Sequence, residues 1–135
     1  MDLHIKETKQ LVAEEFSEFF KEKCSTGDDV HIALSGGSTP KIVFDYLAAE
    51  YGAEIDWSNV FLYWGDERCV PPSDSESNYK MTVEHLISKI DIPEENIFRI
   101  LGEDNPEEEA KRYSKVLDEQ LPKANGIPCF DLVML

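Results

Sequence analysis

Apolar residues recur along this chain with two alternating spacings, one that suits helices and one that suits strands. Leu3-His4-Ile5 reads as a short edge strand, and Thr8 as the cap of a helix carrying Leu11, Val12, Phe16, Phe19 and Phe20 on one side. Gly27 lies just past that helix. The run Val30-His31-Ile32-Ala33-Leu34 predicts a buried strand, followed by a glycine turn and a helix with Ile42, Val43, Phe44, Leu47 and Tyr51 at helical spacing. Asp56-Trp57-Ser58-Asn59 is turn-like and leads into a second strand, Val60-Phe61-Leu62-Tyr63-Trp64. A polar loop from Gly65 to about Ser77 precedes a helix with Tyr79, Val83, Leu86, Ile87 and Ile90 on its apolar stripe, and Pro93 breaks it. Ile97-Phe98-Arg99-Ile100 is a short strand. Asn105-Pro106-Glu107-Glu108-Glu109 is a helix start with cap, proline and acidic first turn, and that helix is expected to bury Ala110, Tyr113, Val116, Leu117 and Leu121. The final run, Cys129 to Leu135, resembles a buried strand.

Strand and helix alternate with short connections, which predicts an α/β layer fold on a mostly parallel sheet. Such sheets bind ligands at the carboxyl ends of their strands. The turns at 35–40 and 65–68 both fall at such ends, so one pocket can collect both. With 135 residues and 41% hydrophobic content the chain reads as a single domain with its own core.

A formal charge of −15 opposes nucleic acid and anionic membranes, so neither is an expected partner. No run approaches the ~20 apolar residues of a membrane span, and Met1-Asp2-Leu3-His4 lacks the layout of a signal peptide. A cytoplasmic location is expected. Cys24, Cys69 and Cys129 are widely spaced without a CxxC pair, which favours free thiols over bridges or a zinc site.

The chemistry begins at Ser35-Gly36-Gly37-Ser38-Thr39-Pro40, between a strand and a helix. Glycines let the backbone approach a ligand closely, Ser38 or Thr39 can cap the helix, and its free amides face an anion. Pro40, read as the first helical residue, gives up only an amide without a helical partner. The segment lacks the lysine of a nucleotide P-loop and the glycine spacing of a dinucleotide fingerprint, so a small phosphorylated ligand fits best. A second constellation, Trp64-Gly65-Asp66-Glu67-Arg68-Cys69-Val70-Pro71, places two carboxylates and a guanidinium just past a strand.

These two segments together with Ser75-Glu76-Ser77-Asn78-Tyr79 resemble, in order and spacing, the 6-phosphogluconolactonases, which belong with the glucosamine-6-phosphate deaminases and related sugar-phosphate isomerases. The resemblance covers essentially the whole chain. It implies a doubly wound, mostly parallel, Rossmann-like sheet with helices on both faces, truncated at its C-terminal side. Residues 1–135 then form a single, incomplete sugar-phosphate-binding α/β domain. It also implies hydrolysis of 6-phospho-D-glucono-1,5-lactone to 6-phosphogluconate in the oxidative pentose phosphate pathway, with no cofactor and no metal.

By the same resemblance the phosphate is assigned to the amides of Gly36, Gly37 and Ser38 with the hydroxyls of Ser38 and Thr39. Arg68 binds phosphate or polarises the lactone, Asp66 orients sugar hydroxyls or the catalytic water, and Asn78 braces the loop or contacts substrate. Asp66 and Arg68 are thus the catalytic candidates. Lys41, Lys80 and Arg99 are expected at the solvated surface. In the family an Asp-Gly-His segment follows the strand matching Phe130 to Leu135, and its histidine is the expected general base. The chain stops before it, and His4, His31 and His85 are expected to be structural or exposed. The 135-residue chain is therefore expected to be an inactive N-terminal part, prone to self-association through Phe130, Leu132, Val133 and Met134. Two alternatives remain at this point. One is a glucosamine-6-phosphate deaminase or isomerase, in which an aromatic residue stands where Arg68 does. The other is a noncatalytic sugar-phosphate-binding module.

Overall fold

The computed structural model describes residues 3–135. In chain order its main elements are α1 (Lys9–Cys24), β1 (Val30–Leu34), α2 (Ser38–Tyr51), β2 (Val60–Trp64), α3 (Asn78–His85), β3 (Ile97–Phe98), α4 (Pro106–Gln120), β4 (Lys123–Ala124), β5 (Ile127–Pro128) and β6 (Leu132–Val133). Four of the strands make one parallel sheet in the order β3-β2-β1-β6, with His31 opposite Phe61 and Leu34 opposite Trp64. The order reverses at β1. Because parallel crossovers are right-handed, the α4 connection from β3 to β6 runs over the face opposite to α2, which makes the sheet doubly wound.

Val30, Ile32 and Leu34 of β1 join Val60, Leu62 and Trp64 of β2 in the core beneath α1 and α2. Alternation sends His31 and Ala33 to the other face, beside Phe61, Tyr63 and Phe98. There His31 stacks on Phe61 at 4.8 Å between centroids, and Nδ1 lies 3.1 Å from the Tyr63 hydroxyl. A two-residue Asn125-Gly126 turn with both φ angles positive joins β4 to β5, the conformation that Asn-Gly favours. All three cysteines are free, and no described helix is long and apolar enough to cross a membrane.

Several expected elements come out shorter or rotated. Leu3 to Ile5 forms no strand: both sheet edges belong to β3 and β6, and the segment is held instead by His4 and Lys6 on Glu15. The last strand narrows from 129–135 to Leu132–Val133. The buried side of α1 is Ala13, Ser17, Phe20 and Cys24, whose two small residues let the helix lie close to α2, while Leu11 and Phe19 stay exposed. On α3 Asn78 and Thr82 face inward in place of the expected Tyr79 and Val83, while Leu86, just past the helix, is buried as expected. On α4, Glu109 is buried rather than Ala110. The Arg112 guanidinium holds the Glu109 carboxyl below the usual range, and Oε1 also accepts from the Leu101 amide at 2.8 Å.

Tyr113 ties α4 to two strands at once, since its hydroxyl donates to the Phe98 carbonyl and accepts from the Trp64 amide, each at 2.9 Å. Tyr113→Phe leaves both buried backbone groups without that partner. It is expected to lower unfolding free energy by about 1–3 kcal/mol in urea titration; an unchanged midpoint would show the bridge to be idle. His31 offers a second test. Burial holds its imidazole below the ordinary value, with Asp131 and Asp29 pulling the other way. The unfolded chain therefore takes up the proton first, so this stability is present above the unfolded value of about 6.5 and is lost as pH falls through the folded one. The urea midpoint is expected to drop on acidification below that value, and to drop less in His31→Phe.

Candidate functional site

β1 ends at Leu34, and the chain then turns through Gly37 at φ 114° before α2 begins at Ser38. The helix is capped by Gly37, not by Ser38 or Thr39, and no side chain closes its N-terminus. Ser38 Oγ instead accepts from Lys9 Nζ at 2.7 Å. Pro40 is the third helical residue rather than the first. It costs nothing there, because the first helical bond runs from the Lys41 amide to the Gly37 carbonyl at 3.2 Å. Among the described residues, the amides of Gly36, Gly37, Ser38 and Thr39 make no hydrogen bond. Four donors thus stand together at the positive end of a helix, at the carboxyl edge of the sheet.

The second turn is fastened to the first. The Gly65 amide donates to the Leu34 carbonyl at 2.9 Å, linking the ends of β1 and β2. Asn78, buried at the start of α3, donates from Nδ2 to the Asp66 carbonyl at 3.2 Å and to Asp66 Oδ1 at 3.3 Å. Its Oδ1 fills the space beside Gly36, where an added Cβ would come within 1.9 Å of it. One side chain therefore sets the distance between the glycine turn and Asp66.

Glu67, passed over as a candidate among its charged neighbours, turns inward: its carboxylate receives the amides of Arg68, Asn78 and Tyr79 and the Ser77 hydroxyl. Glu67 stands eleven residues before α3 in the chain, so no local sequence signal marks this contact. The Arg68 side chain is exposed, and among the described residues its guanidinium has no ion pair. Arg68 and Asp66 border a cavity of about 420 Å³ floored by Ile100, Tyr113 and Leu117. The glycine turn and Asn78 are not among the residues lining that cavity, so the structure joins Gly36, Asn78 and Asp66 directly and reaches Arg68 through Glu67.

The remaining candidates sort by partner. Arg99 is held by Glu103 in a two-bond ion pair and lies over the Tyr79 ring, while Lys80 sits 4.0 Å from Glu84 and Lys41 is exposed. None of the three histidines bonds to the site: His4 meets Glu15, His31 meets Tyr63 and His85 meets Asp45.

The contact between Gly36 and Asn78 is open to direct test. Gly36→Ala forces a methyl onto a buried side chain and is expected to cost about 1–3 kcal/mol in thermal unfolding. In an Asn78→Ala background the same change should cost clearly less. Equal costs in both backgrounds would place the strain elsewhere.

The sequence profile of the family described as glucosamine-6-phosphate isomerases/6-phosphogluconolactonase matches residues 4–135. The chain is 38% identical over 135 residues to 6-phosphogluconolactonase of Treponema pallidum (strain Nichols), covering 100% of this chain and 56% of that protein. It is 43% identical over 129 residues to the Haemophilus influenzae 6-phosphogluconolactonase, covering 95% of this chain and 54% of the other. A solved structure described as devB protein superimposes with a TM-score of 0.92 at 44% identity, covering 96% of this chain and 55% of that one. The chain thus spans about half the length of the curated relatives it matches. With a profile match over nearly its whole length and the fold to go with it, the chain belongs to the glucosamine-6-phosphate isomerase/6-phosphogluconolactonase family.

Proposed function

We propose that the complete polypeptide carrying this chain hydrolyses 6-phospho-D-glucono-1,5-lactone to 6-phosphogluconate. The observation that carries the reading is the set of unbonded amides at Gly36 to Thr39, held beside Asp66 by Asn78. Relatives bearing the name 6-phosphogluconolactonase along the whole chain support it.

In this reading the amides of Gly36, Gly37 and Ser38, with the hydroxyls of Ser38 and Thr39, take the phosphate. Backbone donors at a helix N-terminus suit a dianion and require no rearrangement on binding. Asp66, whose Oδ2 has no partner among the described residues, orients a sugar hydroxyl or the attacking water. Arg68 contributes a permanent charge and a planar pair of donors, which suits either a phosphate oxygen or the carbonyl oxygen that becomes negative when water adds. The family resemblance assigns deprotonation of that water to the histidine of an Asp-Gly-His segment, and none of the three histidines in this chain bonds to the site. Against the rival reading as a glucosamine-6-phosphate deaminase stands Arg68 itself, at the position where the deaminases carry an aromatic residue.

The test is an assay of the complete polypeptide and its Arg68→Met variant. Wild-type protein should hydrolyse the lactone. If the guanidinium serves the oxyanion, Arg68→Met lowers kcat on the order of 10²- to 10³-fold; if it serves the phosphate, the variant raises KM and leaves kcat nearly intact. Ammonia release from glucosamine 6-phosphate by a protein inert toward the lactone would overturn the assignment.

A further inference from the structure

Resting on that reading of the site, we propose that Glu67 is a positioning residue, which sets the placement of Arg68, Asn78 and Asp66 by holding their loop and helix through the main chain. Glu67 Oε1 accepts from the Arg68 amide and from the Asn78 amide, each at 2.8 Å. Oε2 accepts from the Tyr79 amide at 2.9 Å and from Ser77 Oγ at 3.0 Å. A single half-buried carboxylate thus spans the loop after β2 and the first turn of α3. A carboxylate offers about four lone-pair directions, and all of them are taken here.

That saturation separates Glu67 from its neighbour. Asp66 keeps an oxygen free for water or substrate, whereas Glu67 has no remaining capacity to move a proton. Nor is Glu67 needed merely to start the helix, because Ser77 Oγ already accepts from the Lys80 amide at 3.1 Å in the ordinary capping position. What Glu67 adds is a connection between two places. It fixes the main chain of Asn78, whose side chain in turn holds Asp66 and fills the space beside Gly36. It also fixes the peptide of Arg68, whose carbonyl packs so tightly against Gly102 that a Cβ there would lie 2.3 Å away. The Arg68 backbone is therefore clamped from two sides while its side chain stays free.

Glu67→Gln keeps the shape but turns an NH₂ group toward hydrogen-bond donors, so at least one of the four contacts becomes repulsive. In the complete polypeptide, assayed well below the melting temperature of the variant, kcat/KM is expected to fall by about 10- to 100-fold, the scale of an ångström misplacement. The double variant Glu67→Gln, Arg68→Met should lose less than the product of the two single losses, since Glu67 acts partly through Arg68. A purely structural carboxylate predicts otherwise: a lower melting temperature with full activity where the protein is folded, or losses that multiply. Either result overturns the proposal. If the wild type fails to hydrolyse the lactone, the functional reading falls and a second measurement decides the positioning. The Asn78 side-chain amide and the Gly36 backbone amide should then shift in the NMR spectrum of Glu67→Gln. Unmoved signals would overturn the proposal independently of any activity.

Discussion

The contact on which the rest of the site depends is between a glycine that has no side chain and an asparagine that occupies the space so left. Gly36 and Asn78 belong to different crossovers, one after β1 and one after β2, and nothing in a parallel sheet alone fixes how far apart such loops stand. Strand pairing brings their roots together, with the Gly65 amide on the Leu34 carbonyl. Asn78 does the rest, because its amide nitrogen holds Asp66 and its oxygen packs on Gly36. A larger residue at 36 pushes the turns apart, and an apolar one at 78 leaves Asp66 unheld. The unbonded amides of the glycine turn and the Asp66 carboxylate are thus set relative to each other by packing.

Two neighbouring carboxylates show how location decides use. Asp66 lies on the outer side of the turn with an oxygen to spare, and Glu67 lies on the inner side with none. The same economy appears on α4, where buried Glu109 is satisfied by Arg112 and the Leu101 amide. A buried carboxylate survives in this fold where backbone amides and a guanidinium replace its water. The three histidines are likewise bonded to partners away from the glycine turn: Glu15, Tyr63 and Asp45.

Much of this was legible in the residues. The runs at 30–34 and 60–64 read as strands and Asn105-Pro106 as a helix start; both strands appear with the expected bounds, and the helix begins at Pro106 with Asn105 as its cap. What escaped was decided by tertiary contact. Asn78 and Thr82 face inward where periodicity favoured Tyr79 and Val83, because Asn78 is bonded to Asp66 and Thr82 lies one turn further on the same face of the helix. Leu11 and Phe19 read as core but are exposed, because Ala13 and Ser17 bring α1 close to α2 on a different side. The helix cap at Gly37 was misplaced by one residue: hydroxyl residues usually cap, but here a positive φ was needed and Ser38 went to Lys9. The Asn125-Gly126 hairpin carried a readable signal that the long apolar run after it obscured. For the site, the grouping of the glycine turn with 66–68 followed from topology, while the inward turn of Glu67 depended on a hydrogen-bonding pattern that spacing alone does not show.

The measurement closest to the centre of this account is a titration of the ¹⁵N-labelled 135-residue chain with 6-phosphogluconate, followed at the backbone amides. The account predicts saturable shifts at Gly36, Gly37, Ser38 and Thr39, weakened when inorganic sulfate competes for the same donors. Shifts absent from that turn while others appear around the cavity between Arg68 and α4 would contradict it, and would move the phosphate site to the other side of Asp66.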